Sequence, residues 1–192
     1  MDNKVKMNKQ ELRNTLEYER KLYLGDKYKE MKRSKHKRYT IWKYLYLYRK
    51  WTFYTAVRSD KSESGIKRRI AKFLARYYER KKNVYSYLSG VEIGKNAQIG
   101  KGLDIWHSGV VINGILGENC VLHGNNTIGN KGKGRENETP KVGSGVDIGA
   151  GAVIIGSVEL ADDCIVAANA VVTKSFNEKG SVIVGIPAKK IK

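Results

Sequence analysis

The chain has 192 residues and carries 37 Lys and Arg against 19 Asp and Glu, a formal net charge of +18. No apolar run approaches the roughly 20 residues that span a bilayer, and two cysteines cannot build a disulfide framework. No Cys/His spacing reads as a zinc site, so no metal is expected. The charge is unevenly placed: residues 1–90 hold 26 basic and 9 acidic residues, residues 91–192 hold 11 and 10. All 12 Tyr precede residue 90, whereas 18 of the 20 Gly lie at or after it. Two regions are therefore expected, 1–89 and 90–192.

The first region has no Pro and only Gly25 and Gly65, so helices are allowed nearly throughout. The N-terminal fourteen residues have charge but no apolar core, which argues against a secretory signal and for a cytoplasmic chain. Glu11, Leu12, Leu16, Glu19 and Arg20 fit a short first helix, and residues 39–54 form a second, dense in aromatics. Ile66, Ile70, Phe73, Leu74, Tyr77 and Tyr78 recur at helical spacing, with Lys67, Arg68, Arg69, Lys72 and Arg76 between them. This predicts an amphipathic basic helix ending near Asn83. Three uses fit such an arm: a helical cap that assembles oligomers, a peripheral contact with an anionic membrane face, or nucleic-acid binding. Nucleic acid is the least favoured, because no recognised motif accompanies the charge.

From residue 93 an aliphatic residue returns every six positions, often followed by Gly. The units begin at Ile93-Gly94 and Ile99-Gly100, with Ile105 in phase. After a slip they resume at Val110, Leu116-Gly117, Leu122 and Ile128-Gly129. They then run through Val142-Gly143, Ile148-Gly149, Ile154, Leu160, Val166 and Val172. Six residues do not fit a helical period. They suit a short strand with a tight corner, three units closing one coil of 18 residues. The region is expected to be mainly β, a parallel β-helix with its aliphatic residues stacked inside. Ala97, Cys120, Ala152, Cys164 and Ala170 occupy small inner places, so both cysteines read as core.

Breaks in a strict repeat mark where function is expected. The first is Ile105-Trp106-His107-Ser108-Gly109-Val110, where the spacing falls to five. The second is a polar, Gly-rich excursion over residues 129–141. An imidazole is the usual group for taking a proton from an attacking hydroxyl. His107 in the slip fits that role, against the plainer reading of a solvent-facing corner. His123 is expected one coil along on the same face, where it would assist, bind substrate or merely sit at the surface. Asp104 is close enough in sequence to orient the His107 ring, and His36 reads as a solvated side chain of the arm.

The Ile-Gly repeats and the terminal Gly185-Ile186-Pro187-Ala188-Lys189 resemble the hexapeptide-repeat acyltransferases. That resemblance implies a left-handed β-helix, a homotrimer and acetyl-CoA as acyl donor along the groove between coils. It implies donor contacts at Ala150 and Ala168 beside the coil, at Thr173 and Lys174, at the basic Lys189 and Lys192, and at Asn130 in the excursion. Glu92 falls where serine acetyltransferases carry an aspartate that supports the catalytic histidine. Those enzymes also carry Asp immediately before that histidine and Arg-His before the Pro-Lys that closes the excursion. Here the corresponding residues are Trp106 and Glu138-Thr139, so the groups that would hold an amino acid are missing. The segment 102–114 is more similar to serine-acetyltransferase-like proteins of capsule and exopolysaccharide synthesis. The expected activity is O-acetylation of a glycan hydroxyl, with Trp106 and His123 on the acceptor and His107 as base. Serine O-acetylation is the alternative, and a non-catalytic β-helix scaffold the second.

Overall fold

A computed structural model describes residues 7–192; residues 1–6, part of the stretch read as lacking a secretory signal, lie outside the described residues. The chain forms two compact units, residues 1–89 and 90–192.

The first unit is helical: α1 (Lys9–Leu24), α2 (Tyr28–Arg33), α3 (Lys37–Ser59) and α4 (Gly65–Ser89). Asn8 opens α1 with a capping box, its Oδ1 accepting from the Gln10 and Glu11 amides while its own amide donates to Glu11 Oε2. His36 is no idle surface group, since its Nδ1 accepts from the Arg38 amide and caps α3. The other three helices pack on α3. Apolar residues occur all round this helix, and Ile41, Tyr44, Leu45 and Tyr48 are buried. Within that core Arg49 reaches across 30 positions to Glu19, with 2.6 Å between Nη2 and Oε1. Sequence periodicity gave no sign of this pair.

The helix α4 departs from expectation twice. It runs to Ser89 rather than stopping near Asn83. The face it turns inward is built on Ala71 and Ala75, whose small side chains let α3 approach, while Ile66, Ile70, Phe73 and Tyr77 stay exposed. A stripe at helical spacing fixes which residues share a face, not whether that face is covered. Among the described residues no helix is long and apolar enough to cross a membrane.

The second unit is the expected parallel β-helix, about five turns long, with three sheets. The first sheet stacks Val91–Ile93, Val110–Ile112, Thr127–Gly129, Val153–Ile155 and Val171–Val172. The second stacks Gln98–Ile99, Ile115–Leu116, Lys141–Val142 and Glu159–Leu160. The third stacks Asp104–Ile105, Val121–Leu122, Asp147–Ile148, Ile165–Val166 and Val182–Val184, and Lys189–Lys190 then closes it antiparallel. Regular coils pair residues 18 apart: Val153 with Val171, Lys141 with Glu159, Asp147 with Ile165. Ile112, Leu116, Leu122, Ile128, Ile148 and Ile154 are almost wholly inaccessible, as are Cys120 and Cys164. Burial pushes the Cys120 thiol up to about 11, so both cysteines are core residues rather than reactive ones.

The register shifts at the first break. Ile112, not Val110, pairs with Ile93 above and Ile128 below. The inner spacing is therefore seven residues from Ile105 to Ile112 and then four to Leu116. The excursion is cleaner: it enters after Ile128 and leaves before Val142, and the strands on either side pair across an offset of 26, as in Ile115 with Lys141.

Candidate active site

The seven-residue step from Ile105 to Ile112 makes room for a wide corner carrying Trp106, His107, Ser108 and Gly109. Gly90 O holds one side of it by accepting from the Gly109 and Val110 amides, at 2.8 and 3.0 Å. From the next coil, the Asn125 amide donates to Ser108 O at 2.9 Å. Beneath the corner lies Asn126, fully buried, whose Oδ1 accepts from the Gly124 amide while its Nδ2 donates to Gly149 O at 2.7 Å. A buried amide with both ends satisfied ties two successive corners together. Sequence reasoning missed it, because Asn126 occupies the inner place that Ala or Cys fills in other units.

His107 is exposed and makes no hydrogen bond or ion pair among the described residues. It sits directly above Gly124, where an added Cβ would lie 2.6 Å from the His107 Cβ. Neither acid expected to support it makes a hydrogen bond with it among the described residues. Glu92 lies on the exposed outer side of its strand, level with Val111. Asp104 turns to Trp106 instead, accepting from the indole Nε1 at 3.1 Å.

His123 lies one coil further along. The pairing of Asp104 with Val121 and Ile105 with Leu122 sets His123 beside Trp106 rather than beside His107. The Trp106 and His123 rings meet with centroids 4.4 Å apart. On its other side His123 Nε2 donates to Asp147 Oδ1 at 2.8 Å, the carboxylate having no proton to give. Asp147 was not singled out in the sequence, and only the coil pairing of Val121 with Asp147 reveals it. The result is a continuous surface of Asp104, Trp106, His123 and Asp147 beside His107. Trp106 is 45% exposed within it.

The donor-side residues fall along the later coils. Ala150 and Ala168 are exposed and stacked, the Asn169 amide donating to Ala150 O at 2.9 Å. At Gly149 an added Cβ would lie 2.5 Å from the Ala168 nitrogen, so the two corners are as close as backbone allows. Thr173 and Lys174 follow the last strand of the first sheet, exposed, with Lys174 Nζ 5.5 Å from the Phe176 ring. Lys189 lies in the closing strand and Lys192 beyond it, both exposed, and Lys192 O accepts from the Val182 amide. Small corners bordered by cations fit a long, narrow ligand ending in phosphates. Asn130 does not extend this surface. Its Oδ1 accepts from the Gly132 amide and its Nδ2 donates to Glu136 O, so it folds the excursion on itself. Glu138 in that excursion lies 3.9 Å from Arg135. Among the described residues no cluster of His, Cys, Asp and Glu is arranged to hold a metal ion.

Residues 139–174 match the family described as bacterial transferase hexapeptide (six repeats). The serine acetyltransferase of Helicobacter pylori (strain J99) is 38% identical over 108 residues, 55% of this chain and 63% of that protein. The serine acetyltransferase of Staphylococcus aureus (strain Mu50) is 37% identical over 109 residues, 55% of this chain and 51% of that one. The chain thus spans between half and two thirds of the curated relatives it matches. Among solved structures, serine acetyltransferase from Neisseria gonorrhoeae aligns with a TM-score of 0.69 at 25% identity. That alignment covers 96% of this chain and 68% of that one.

Proposed function

We propose that this hexapeptide-repeat chain is an acetyl-CoA-dependent O-acetyltransferase. His107 takes the proton of an acceptor hydroxyl as the hydroxyl oxygen attacks the thioester carbonyl. The C–S bond breaks, and the proton held on the imidazole passes to the departing CoA sulfur. The observation that carries the reading is the position of His107: it occupies the widened corner between the third and first sheets, in line with the small corners at Ala150 and Ala168 two and three coils further on.

The relatives bear the name serine acetyltransferase, and this favours L-serine as acceptor over the glycan expected from the sequence. A second reading, a sugar hydroxyl, keeps specific support from two residues. Trp106 presents an exposed ring beside the base, and Glu138 stands in sequence where the resemblance to serine acetyltransferases implies an Arg. Val111 and Ile165, exposed on outer faces of the coil, suit the homotrimer that the resemblance implies.

The test is release of free thiol from acetyl-CoA with L-serine or with a panel of mono- and oligosaccharides. Release with serine alone supports the first acceptor; release with sugars alone replaces it by the second. His107→Ala should abolish release with either. Persistence of activity in that variant, with loss in His123→Ala, would move the base to the His123–Asp147 pair.

A further inference from the structure

The unexpected orientation of α4 leaves an apolar row without a partner. Ile66 is 75% exposed, Ile70 55% and Phe73 71%, and Tyr77, Val84 and Leu88 continue the row. At 100° per residue all six fall on one side of the helix, opposite Ala71 and Ala75, over about 33 Å. Cations border both edges, Arg69, Arg76 and Arg80 on one side and Lys67 and Lys81 on the other. The only acid in α4, Glu79, points away from the row. At the start of the helix Arg58, Arg68, Arg69 and Lys72 line an open cleft.

We propose that α4 is an interfacial helix that docks this chain on an anionic lipid surface. Its apolar row enters the boundary between headgroups and acyl chains, and the bordering cations take lipid phosphates. The charge pattern chooses this occupant. A second copy of α4 laid on the row would oppose cation to cation along both edges. A nucleic acid would satisfy the cations but leave Ile70 and Phe73 against water. An anionic bilayer satisfies both, because long basic side chains lay their stems on the apolar row and lift their charges to the headgroups. The helix is too charged to cross, so the contact is peripheral.

The experiment is flotation of the full chain with phosphatidylglycerol–phosphatidylcholine vesicles and with phosphatidylcholine alone. Binding to the anionic vesicles only is expected, falling with added salt. The double variant Ile70→Ser with Phe73→Ser should weaken that binding by about tenfold or more. Both side chains are exposed, so circular dichroism and sedimentation mass should not change, nor should thiol release with a soluble acceptor. Absence of vesicle binding, equal binding by the variant, or displacement by duplex DNA would overturn the proposal. So would a fall in sedimentation mass in the variant, which would place the row between copies. None of these outcomes touches the transferase reading, which stands on the other unit.

Discussion

The contact between Gly124 and His107 gives a sharp test of whether the wide corner positions a reacting group. Gly124 has φ +116, a conformation that L side chains rarely adopt. In Gly124→Ala the new Cβ would sit 2.6 Å from the His107 Cβ, whereas ordinary contact begins near 3.4 Å. Relief therefore requires a displacement of about 0.8 Å. Asn126 holds Gly124 from below, so His107 is the part that moves. A misplacement near 1 Å at a reacting group costs on the order of 10²-fold in rate. Backbone strain adds about 1–3 kcal/mol against stability. Thiol release at saturating acceptor should fall by about that factor in kcat, with binding of CoA by calorimetry unchanged. Melting temperature is read alongside, at a temperature where the variant stays folded. A folded variant whose kcat lies within about threefold of the parent would refute the idea that this contact sets the base.

Other outcomes follow from particular contacts. Glu19→Gln leaves Arg49 buried without its anion and should destabilise the helical unit by about 3–5 kcal/mol in urea unfolding. The double replacement Glu19→Leu with Arg49→Met should recover most of that loss, which a purely local cavity would not allow. Trp106→Ala should raise KM for the acceptor more than it lowers kcat, the mark of lost ground-state binding. An equal fall in kcat and kcat/KM would instead put the indole in the transition state. Cys120 is protonated in the folded chain well past the pH at which an unfolded thiol ionises. Its contribution to stability is fully present below about pH 9 and fades as pH climbs towards 11. Unfolding by alkali should therefore be less steep in Cys120→Ala.

Much of this architecture is legible in the sequence because a solenoid writes its geometry as a period. The alternation of Ile148, Ile154, Leu160, Val166 and Val172 fixes both strands and stacking, since each inner residue meets its own kind one coil away. The breaks are legible as places but not as registers. Five then six, and seven then four, both bring Ile105 to Leu116 in eleven residues, and only backbone pairing separates them. Either count puts Leu122 on Ile105 and so His123 beside Trp106, the neighbour of His107. Asp147 was hidden because its relation to His123 passes through the excursion. In the helical unit the Glu19–Arg49 pair and the outward row of α4 are tertiary facts. Spacing identifies the faces of a helix, and only the neighbours decide which is covered.

The closing strand has a consequence for how the molecule ends. A parallel coil presents at its last turn a row of unpaired amides and carbonyls, ready to accept another strand. Here Lys189–Lys190 folds back antiparallel on Val182–Val184, and Ile191 and Lys192 complete the ladder. The turn leading into it spends Gly185 and Pro187, and Lys190 of the closing strand pairs with Glu178. The closing strand thus covers the outer edge of Val182–Val184, which would otherwise stand open in the third sheet.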